Sequence, residues 1–235
     1  MKIAICIPRY GDTKGEFTIS LGRMLVHTLS APAAVGAARP EIEIFSITSS
    51  DLPVSRNLLL QRAIEWQARY LLWLDADHIF PAQSLVRLLS HRLPVVGCNY
   101  ARRREPPIPV AARYDEAGQP EHVWTTEALA REGAVEEVAH VGLGLCLMDM
   151  AILHQVKEHV EKGVGWAHWN PFDRKLLPGT NVRMGEDASF FEELRAAGVK
   201  IHVDHALSWY VGHIGEHIYT NEEAEKQKDV LLAGG

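Results

Sequence analysis

The sequence lacks any apolar run of the roughly 18 residues that a membrane-spanning helix needs. Its longest candidate, residues 141–150, is short and is interrupted by two glycines and an aspartate. At the N-terminus, the apolar stretch after Lys2 ends at Pro8 and Arg9, which is too early for a secretory signal. We therefore expect neither a membrane span nor a signal peptide.

Cysteine is scarce, and positive charge is not in excess. The three cysteines, Cys6, Cys98 and Cys146, lie in mostly apolar surroundings, which predicts buried free thiols and a cytoplasmic location. The 24 basic and 30 acidic residues give a formal net charge of −6. Because a nucleic-acid polymer is bound through neutralisation of its phosphates, this balance argues against such a partner. A small anionic ligand remains compatible with the charge if a cation meets it.

Apolar residues are present in ordinary amount. Of the 235 residues, 47% are hydrophobic and 23% are charged, close to average globular usage. This composition excludes a disordered chain, which combines low hydrophobicity with high net charge. It predicts one domain over residues 1–235 with a full-sized core.

Strand and helix patterns alternate over the first 100 residues. The predicted strands are residues 2–8, 41–47, 70–74 and 93–98, and the predicted helices are 18–29, a helix from a Ser55 cap to about 69, and one started by Pro81. This alternation predicts an α/β fold with a mostly parallel central sheet flanked by helices.

The second half of the chain has a less regular pattern. It predicts strands at 108–114, 145–148 and 200–204, helices at 151–161, 186–197 and from Asn221, and a loop-rich stretch at 162–183. We expect this half to form a smaller, less regular part of the same domain.

Two aspartates, Asp75 and Asp77, follow the most apolar predicted strand. Residues i and i+2 of an extended chain share a face, and ligands of open α/β sheets bind at the carboxyl ends of the strands. Carboxylate oxygens suit Mg²⁺ or Mn²⁺, which bridge to phosphates. The spacing alone is common, so the preceding buried strand is what favours a metal site over an acidic turn.

Residues 74–81, Leu-Asp-Ala-Asp-His-Ile-Phe-Pro, resemble the D-x-D segment of GT-A fold glycosyltransferases of the family-2-like type. Further short motifs agree with that family in the same order: Ile5-Cys6-Ile7-Pro8, Ser55-Arg56-Asn57, Gly185-Glu186-Asp187 with Phe190, and Gly212-His213-Ile214-Gly215. Each motif is short and degenerate, so the specificity lies in their order and spacing over residues 3 to about 215.

The resemblance implies a GT-A fold in which residues 1–100 bind the nucleotide, residues 101–220 form the acceptor side and complete the metal site, and residues 221–235 form a helical tail. It implies transfer of a sugar from a UDP- or GDP-linked nucleotide-diphosphate donor to an unknown acceptor hydroxyl. The implied cofactor is Mn²⁺ or Mg²⁺, which neutralises the diphosphate as it leaves.

The resemblance also assigns the donor and metal residues. The donor-binding residues are Pro8, Arg9, Tyr10, Ser50, Asp51, Arg56, Asn57, Asp75 and Ala76, and the metal ligands are Asp75, Asp77 and His213. At the start of a helix, Arg56 can meet an anionic ligand; alternatively, it is a surface residue beside a capping serine. The basic triplet 102–104 lies near the diphosphate or forms a solvated turn.

For the acceptor side, Asp187 is the predicted base that deprotonates the acceptor hydroxyl, with Glu186 as second choice. Alternatively, the two acidic residues stand at the start of a helix because carboxylates there interact favourably with the helix dipole. Gly142 and Gly144 permit close approach of a sugar or mark a strand bulge. Trp166 and Trp169 stack on the acceptor or pack parts of the protein together.

Other functions remain open at this point. Residues 213–217, His-Ile-Gly-Glu-His, fit the H-x-x-E-H pattern of a zinc hydrolase, which requires a helix. Two glycines and a preceding Trp-Tyr-Val favour a strand instead. A phosphohydrolase or a non-catalytic sugar-nucleotide binding protein is also possible. A sugar-1-phosphate nucleotidyltransferase is disfavoured, because residues 8–12 lack its glycine-rich loop ending in lysine.

Overall fold

The structure is a computed structural model that describes residues 1–30, 39–176, 181 and 183–233. In chain order, its elements are β1 (Lys2–Arg9), α1 (Gly15–Ser30), β2 (Glu41–Thr48), α2 (Leu52–Glu65), β3 (Tyr70–Leu74), β4 (His78–Ile79), α3 (Ser84–Ser90), β5 (Val95–Gly97), β6 (Ala112–Tyr114), β7 (Pro120–His122), α4 (Glu127–Glu132), β8 (Val135–Val138), β9 (Leu145–Asp149), α5 (Ile152–Lys162), a 3-10 turn (Trp166–His168), α6 (Glu186–Ala196), β10 (Ile201–Asp204), α7 (His205–Ser208), β11 (Gly212–Ile214), β12 (Ile218–Tyr219) and α8 (Asn221–Ala233).

A seven-stranded sheet with the order β2-β1-β3-β9-β5-β10-β8 forms the centre of the fold. Strands β1, β2, β3, β5 and β10 run in one direction, whereas β9 and β8 run against their neighbours. The predicted mostly parallel α/β sheet is therefore confirmed. From the later part of the chain, β9 lies between β3 and β5, and β10 and β8 extend the sheet beyond β5.

The central strands are buried on both faces, which is why their sequences are continuous apolar runs. On one face, Ala4, Cys6, Leu71 and Trp73 pack into a core with residues of α2, α5 and α6. On the other face, Ile3, Ile5, Leu72 and Leu74 pack into a core with residues of α1 and α3. Because the side chains of a strand alternate in direction, one short apolar run supplies both cores.

The boundaries of α2 correct one prediction about its cap. The helix begins at Leu52, and the Asp51 side chain accepts a hydrogen bond from the Val54 amide at 3.2 Å. Ser55 lies within the helix, so Arg56 is not in the first turn as predicted. Pro53 lies in the first turn of the helix, where proline is well tolerated.

A second, three-stranded sheet, β12-β11-β4, is a feature that the sequence did not predict. Strand β11 pairs antiparallel with β4, which places His213 opposite His78, and the Ile214 amide donates to the Asp77 carbonyl at 2.7 Å. Because His213 lies in a strand, the helix that an H-x-x-E-H zinc site requires is absent from residues 212–219, and that alternative is excluded.

The prediction for the cysteines is confirmed. Cys6, Cys98 and Cys146 are buried free thiols. Within the described ranges, no helix has both the length and the apolar character needed to span a membrane.

Asp204 anchors the strand end that leads to β11. Its carboxylate is fully buried, accepts hydrogen bonds from Arg87 Nε at 2.5 Å and Nη2 at 3.0 Å, and lies 2.8 Å from His91 Nε2. It also caps α7 through the Leu207 amide. Burial alone would raise the pKa of Asp204, but His91, Arg87 and the Leu207 amide together lower it to about 2.

We predict that Asp204→Asn destabilises the protein at pH 7 by about 2 kcal/mol, because a carboxyl pKa lowered from 3.8 to about 2 contributes roughly that amount. The stabilisation is present above pH 4 and is lost as the pH falls towards 2. Urea unfolding of both proteins at several pH values measures it. A difference in stability that is constant from pH 7 to pH 2 would contradict the prediction.

Candidate functional site

A cleft of about 480 Å³, which we call the β1–β3 cleft, opens at the carboxyl ends of β1 and β3. Seven of the residues predicted for the donor or the metal line it, namely Pro8, Arg9, Tyr10, Asp75, Ala76, Asp77 and His213. Its other lining residues are Gly11, Asp12, Lys14, Ser49, Leu52 and Arg103. Most of the predicted donor side and the late histidine thus meet around one space.

Ser50 and Asp51 lie in an adjoining cavity of about 640 Å³, and Leu52 lines both spaces. Asp51 is engaged in capping α2. The structure therefore gives Asp51 a role in the fold, and the nucleotide contacts of Ser50 and Asp51 stay predictions.

Asp77, His78 and His213 form a cluster in which one ligand atom from each lies within 4.8 Å of the others. Asp77 Oδ1 is 3.1 Å from His78 Nδ1, and Asp77 Oδ2 is 3.5 Å from His213 Nε2. The two imidazole rings stack with centroids 4.3 Å apart, because they face each other across the β4–β11 pair. Asp75, the third predicted ligand, is not part of this cluster.

The ring of His213 is oriented by the main chain. Its Nδ1 lies 3.1 Å from the carbonyl oxygen of Ala101. Since a carbonyl only accepts, Nδ1 carries a hydrogen, and Nε2 is the ring atom that faces Asp77. An imidazole held in this way has the arrangement found in metal-binding histidines.

The buried polar atoms of the cluster are compatible with a bound divalent cation. Asp77 Oδ1 and both ring nitrogens of His78 are buried and have no hydrogen-bond partner among the residues that the structure describes. A buried polar atom without a partner costs about 1–3 kcal/mol. Because the two nitrogens of one imidazole point in different directions, a single cation would satisfy Asp77 Oδ1 and one ring nitrogen of His78. One carboxylate and two imidazoles suit a transition-metal ion such as Mn²⁺ better than Mg²⁺.

The protonation states of Asp77 and His78 also favour metal binding. Burial alone would raise the pKa of Asp77, but the neighbouring imidazoles of His213 and His78 hold it well below its usual value. Burial lowers the pKa of His78, although Asp77 opposes this effect. At neutral pH the cluster therefore offers a carboxylate and a neutral His78 ring, the forms that bind metal.

Gly142 and Gly144 make room for aromatic rings in the structure. A Cβ on Gly144 would lie 2.5 Å from His78 Cε1 and 2.8 Å from Tyr100 Cε1, and a Cβ on Gly142 would collide with the Tyr100 hydroxyl. The Gly144 amide donates to the Tyr100 hydroxyl at 3.2 Å. Both glycines are thus required for the packing of His78 and Tyr100, and their contact with an acceptor stays a prediction.

Arg56 connects Asp75 to Asp187. Its side chain is only 1% exposed; Nη2 lies 3.1 Å from Asp75 Oδ1, and Nε lies 3.4 Å from Asp187 Oδ1. Burial alone would lower the pKa of Arg56, but Asp75 and Asp187 raise it above its ordinary value, so the guanidinium stays charged. It is therefore a buried link between two predicted site residues, and it does not line the β1–β3 cleft.

Asp187 has the properties of a base near neutral pH. Burial, together with Glu186 and Asp75, raises the pKa of its carboxyl to about 6, although Arg56 and the Leu143 amide oppose the rise. The side chain remains 26% exposed, and the Leu143 amide donates to Oδ2 at 3.2 Å. Glu186, the second-choice base, lies 3.7 Å from Arg174 Nη2.

Asn57 and the two tryptophans lie away from the metal cluster. The Asn57 side chain donates to Asp173 at 3.0 Å and accepts from the Phe172 amide at 3.1 Å, so it holds the loop before α6. Trp166 and Trp169, with ring centroids 4.9 Å apart, line a separate groove of about 430 Å³ along α2. Neither tryptophan lines the β1–β3 cleft.

The sequence reasoning did not identify His78 and Tyr100 as site residues. The signal for His78 was its position directly after Asp77. Tyr100 offered no local signal, since it meets His78, at a centroid distance of 4.2 Å, and Gly144 only in the folded chain.

We predict that Gly144→Ala displaces the His78 ring and weakens Mn²⁺ binding at least several-fold, because the new Cβ would lie 2.6 Å from His78 Nε2. Overpacking of this kind also destabilises by about 1–3 kcal/mol. The measurements are Mn²⁺ titration calorimetry and urea unfolding.

Gly22→Ala serves as the control for this prediction. A Cβ on this exposed residue of α1 meets nothing within 4 Å, so stability should rise by up to about 1 kcal/mol with unchanged Mn²⁺ binding. Equal Mn²⁺ affinity in the two alanine variants would show that His78 does not contribute to the site.

No family model matches the chain, and no curated protein matches its sequence. Among solved structures, the crystal structure of A197 from STIV is similar with a TM-score of 0.52 and 18% identity, covering 95% of this chain and 92% of that chain. GalNAc-T7 with UDP, GalNAc and Mn²⁺ aligns at a TM-score of 0.48 and 13% identity, covering 91% of this chain and 43% of that one.

The catalytic domain of Drosophila β1,4-galactosyltransferase 7 in complex with xylobiose aligns at a TM-score of 0.45 and 16% identity, covering 86% of this chain and 64% of that one. This chain therefore spans less than two thirds of each of the two glycosyltransferase chains. At such identities the likeness concerns the fold alone, and the similarity to A197 supports the α/β architecture described above.

Proposed function

We propose that the protein is a metal-dependent glycosyltransferase that moves a sugar from a nucleotide-diphosphate donor to an acceptor hydroxyl. The observation that carries this proposal is the Asp77–His78–His213 cluster at the edge of the β1–β3 cleft. A cleft at the carboxyl ends of parallel strands is where α/β proteins bind nucleotides. The order of motifs that resembles GT-A fold enzymes supports the same activity.

Asp77 and His213, with His78, would hold the cation, and Mn²⁺ suits this set better than Mg²⁺. When bound, a divalent cation supplies positive charge that stabilises a departing diphosphate. Asp75 lines the same cleft and is held there by Arg56. In this position it can accept hydrogen bonds from a bound donor. We do not assign it to the first coordination sphere.

The walls of the cleft can bind the nucleotide. Tyr10 is 86% exposed and offers an aromatic face to a base. Lys14 and Arg9 supply positive charge at the same opening. The Arg9 side chain is oriented by a hydrogen bond from Nε to Ser46 Oγ at 2.8 Å. These groups are compatible with either a UDP- or a GDP-linked donor.

Asp187 would be the base in an inverting reaction. The acceptor hydroxyl attacks the anomeric carbon and forms the new glycosidic bond, the bond from that carbon to the diphosphate oxygen breaks, and Asp187 takes the hydroxyl proton. A carboxylate with a pKa of about 6 accepts that proton at neutral pH more readily than an ordinary aspartate. Arg56 contacts both Asp187 and Asp75, and so links the proposed acceptor side of the site to the donor side.

We predict that Asp77→Asn abolishes Mn²⁺-dependent binding of the donor nucleotide, because the cluster loses its only carboxylate. A thermal-shift panel of UDP, GDP, CDP and ADP with and without Mn²⁺ measures it. The wild type should be stabilised by one nucleotide only when Mn²⁺ is present. Asp229→Asn, an exposed residue of α8, is the control and should behave as the wild type.

The same panel followed by turnover assays separates the other functions. Release of free sugar without an acceptor would indicate a hydrolase. Binding of an intact donor without any turnover would indicate a sugar-nucleotide binding protein. Full transferase activity of Asp77→Asn would remove the proposed metal site.

We predict that kcat/KM for transfer rises about tenfold per pH unit below pH 6 and levels off above it, because only the deprotonated Asp187 accepts a proton. Asp187→Asn should lose about 100-fold or more in turnover, and its residual rate should lack this limb. A pH–rate profile with saturating donor and subsaturating acceptor measures the limb, and a saturating acceptor measures the loss of turnover.

Glu186→Gln distinguishes the two acidic residues. Glu186 raises the pKa of Asp187, so this variant should keep its activity and move the limb to lower pH. If Glu186→Gln loses the limb and Asp187→Asn keeps it, Glu186 is the base. If both variants retain turnover, the reaction does not use a base on α6.

A further inference from the structure

Arg103 has a position at the cleft that the proposed reaction does not explain. Its Nη1 lies 2.9 Å from Asp77 Oδ2, the oxygen that is also 3.5 Å from His213 Nε2. Of the three consecutive arginines 102–104, it alone lines the β1–β3 cleft. A guanidinium thus contacts the carboxylate oxygen that a cation between Asp77 and His213 would use.

Two positive groups cannot share this oxygen at low cost. Like charges a few ångströms apart repel, and the repulsion is larger where the surroundings are partly desolvated. Asp77 is 25% exposed and His213 is 13% exposed, so water screens the pair only in part. Binding of a cation at the cluster therefore requires the Arg103 guanidinium to leave Asp77.

The guanidinium of Arg103 can move away from Asp77 while the main chain and the aliphatic part of the side chain stay in place. The main chain on either side is held, since the Arg102 amide donates to Ile108 O and the Arg104 amide donates to Arg102 O, each at 2.8 Å. A Cβ on Gly215 would lie 3.2 Å from Arg103 Cδ, so the aliphatic stem rests against this glycine. The side chain is 48% exposed, which leaves the guanidinium free to turn into the cleft.

A diphosphate is the group that best takes up the displaced guanidinium. Arginine binds phosphate oxygens through two parallel hydrogen bonds. Arg56 does not compete for the diphosphate, because it is buried between Asp75 and Asp187. Within the described part of the cleft, Arg103 is the cation already in contact with the metal cluster.

We propose that Arg103 couples the binding of the cation to the binding of the donor: it competes with the cation for Asp77, and the diphosphate removes this competition by binding the guanidinium. This inference rests on the proposed function. Its consequence is that the cation alone binds weakly and that the cation and the diphosphate strengthen each other's binding. By linkage, the factor is the same in both directions.

The test is titration calorimetry of Mn²⁺ alone, and of UDP and GDP in the presence of Mn²⁺, with Arg103→Gln and Arg104→Gln. Arg104 has the same charge one residue away and does not line the cleft. Arg103→Gln should bind Mn²⁺ alone about tenfold more tightly than the wild type and should bind the nucleotide with Mn²⁺ about tenfold more weakly. Arg104→Gln should match the wild type in both titrations.

The opposite signs of the two effects separate this proposal from a general loss of structure, which would weaken both. If Arg103→Gln binds Mn²⁺ as Arg104→Gln does, or more weakly, the competition is overturned. Asp77→Asn distinguishes the two proposals. If Mn²⁺ binding is present in the wild type and lost in Asp77→Asn while the two arginine variants are equal, the metal site stands and the coupling falls. If neither the wild type nor Arg103→Gln binds Mn²⁺, alone or together with a nucleotide, both fall.

Discussion

A buried arginine is the constraint around which the site is organised. The guanidinium of Arg56 is almost fully enclosed and lies between Asp75, after β3, and Asp187, at the start of α6. A buried charge is stable only when it is paired, so the two carboxylates must stay where this cation holds them. The Trp73 ring also packs against the guanidinium, with its centroid 5.6 Å from the guanidinium carbon of Arg56. The end of the central strand and the start of α6 are thereby held together.

A second constraint acts on the other side of the cleft. The pairing of β4 with β11 brings the residue after Asp77 opposite His213. Tyr100 packs edge-on against both histidine rings, with centroid distances of 4.2 Å and 5.3 Å, and Gly142 and Gly144 leave the space for it. The two histidine rings are therefore packed by Tyr100, while Asp77 and His213 line the cleft. Arg103 lines the same cleft and reaches Asp77 there, which is why its position bears on ligand binding.

The two constraints give neighbouring aspartates different properties. Asp77 faces two imidazoles, and its pKa is held well below the usual value, whereas Asp75 is engaged by a buried guanidinium. Farther along the Arg56 link, burial together with Glu186 and Asp75 raises the pKa of Asp187 to about 6. Residues of one chemical type thus differ in partner and pKa, and the proposed roles of metal ligand, paired anion and base follow from the surroundings rather than from the residue type.

The amino-acid sequence by itself determined the buried strands and the α/β class, because a short apolar run such as residues 70–74 is typical of a strand covered on both faces. It also placed Asp75 and Asp77 at the carboxyl end of that strand, since their spacing is local. Only the tertiary structure decided which partner each aspartate has. Arg56 reaches Asp75, and His213 and Arg103 reach Asp77, from other segments of the chain. Tyr100 and Gly144 likewise meet His78 only in the folded chain. Trp166 and Trp169 were predicted near the acceptor from their loop position, but packing against α2 puts them in another groove. Local patterns record burial and direction, whereas the pairing of distant polar groups depends on how the layers of the fold come together.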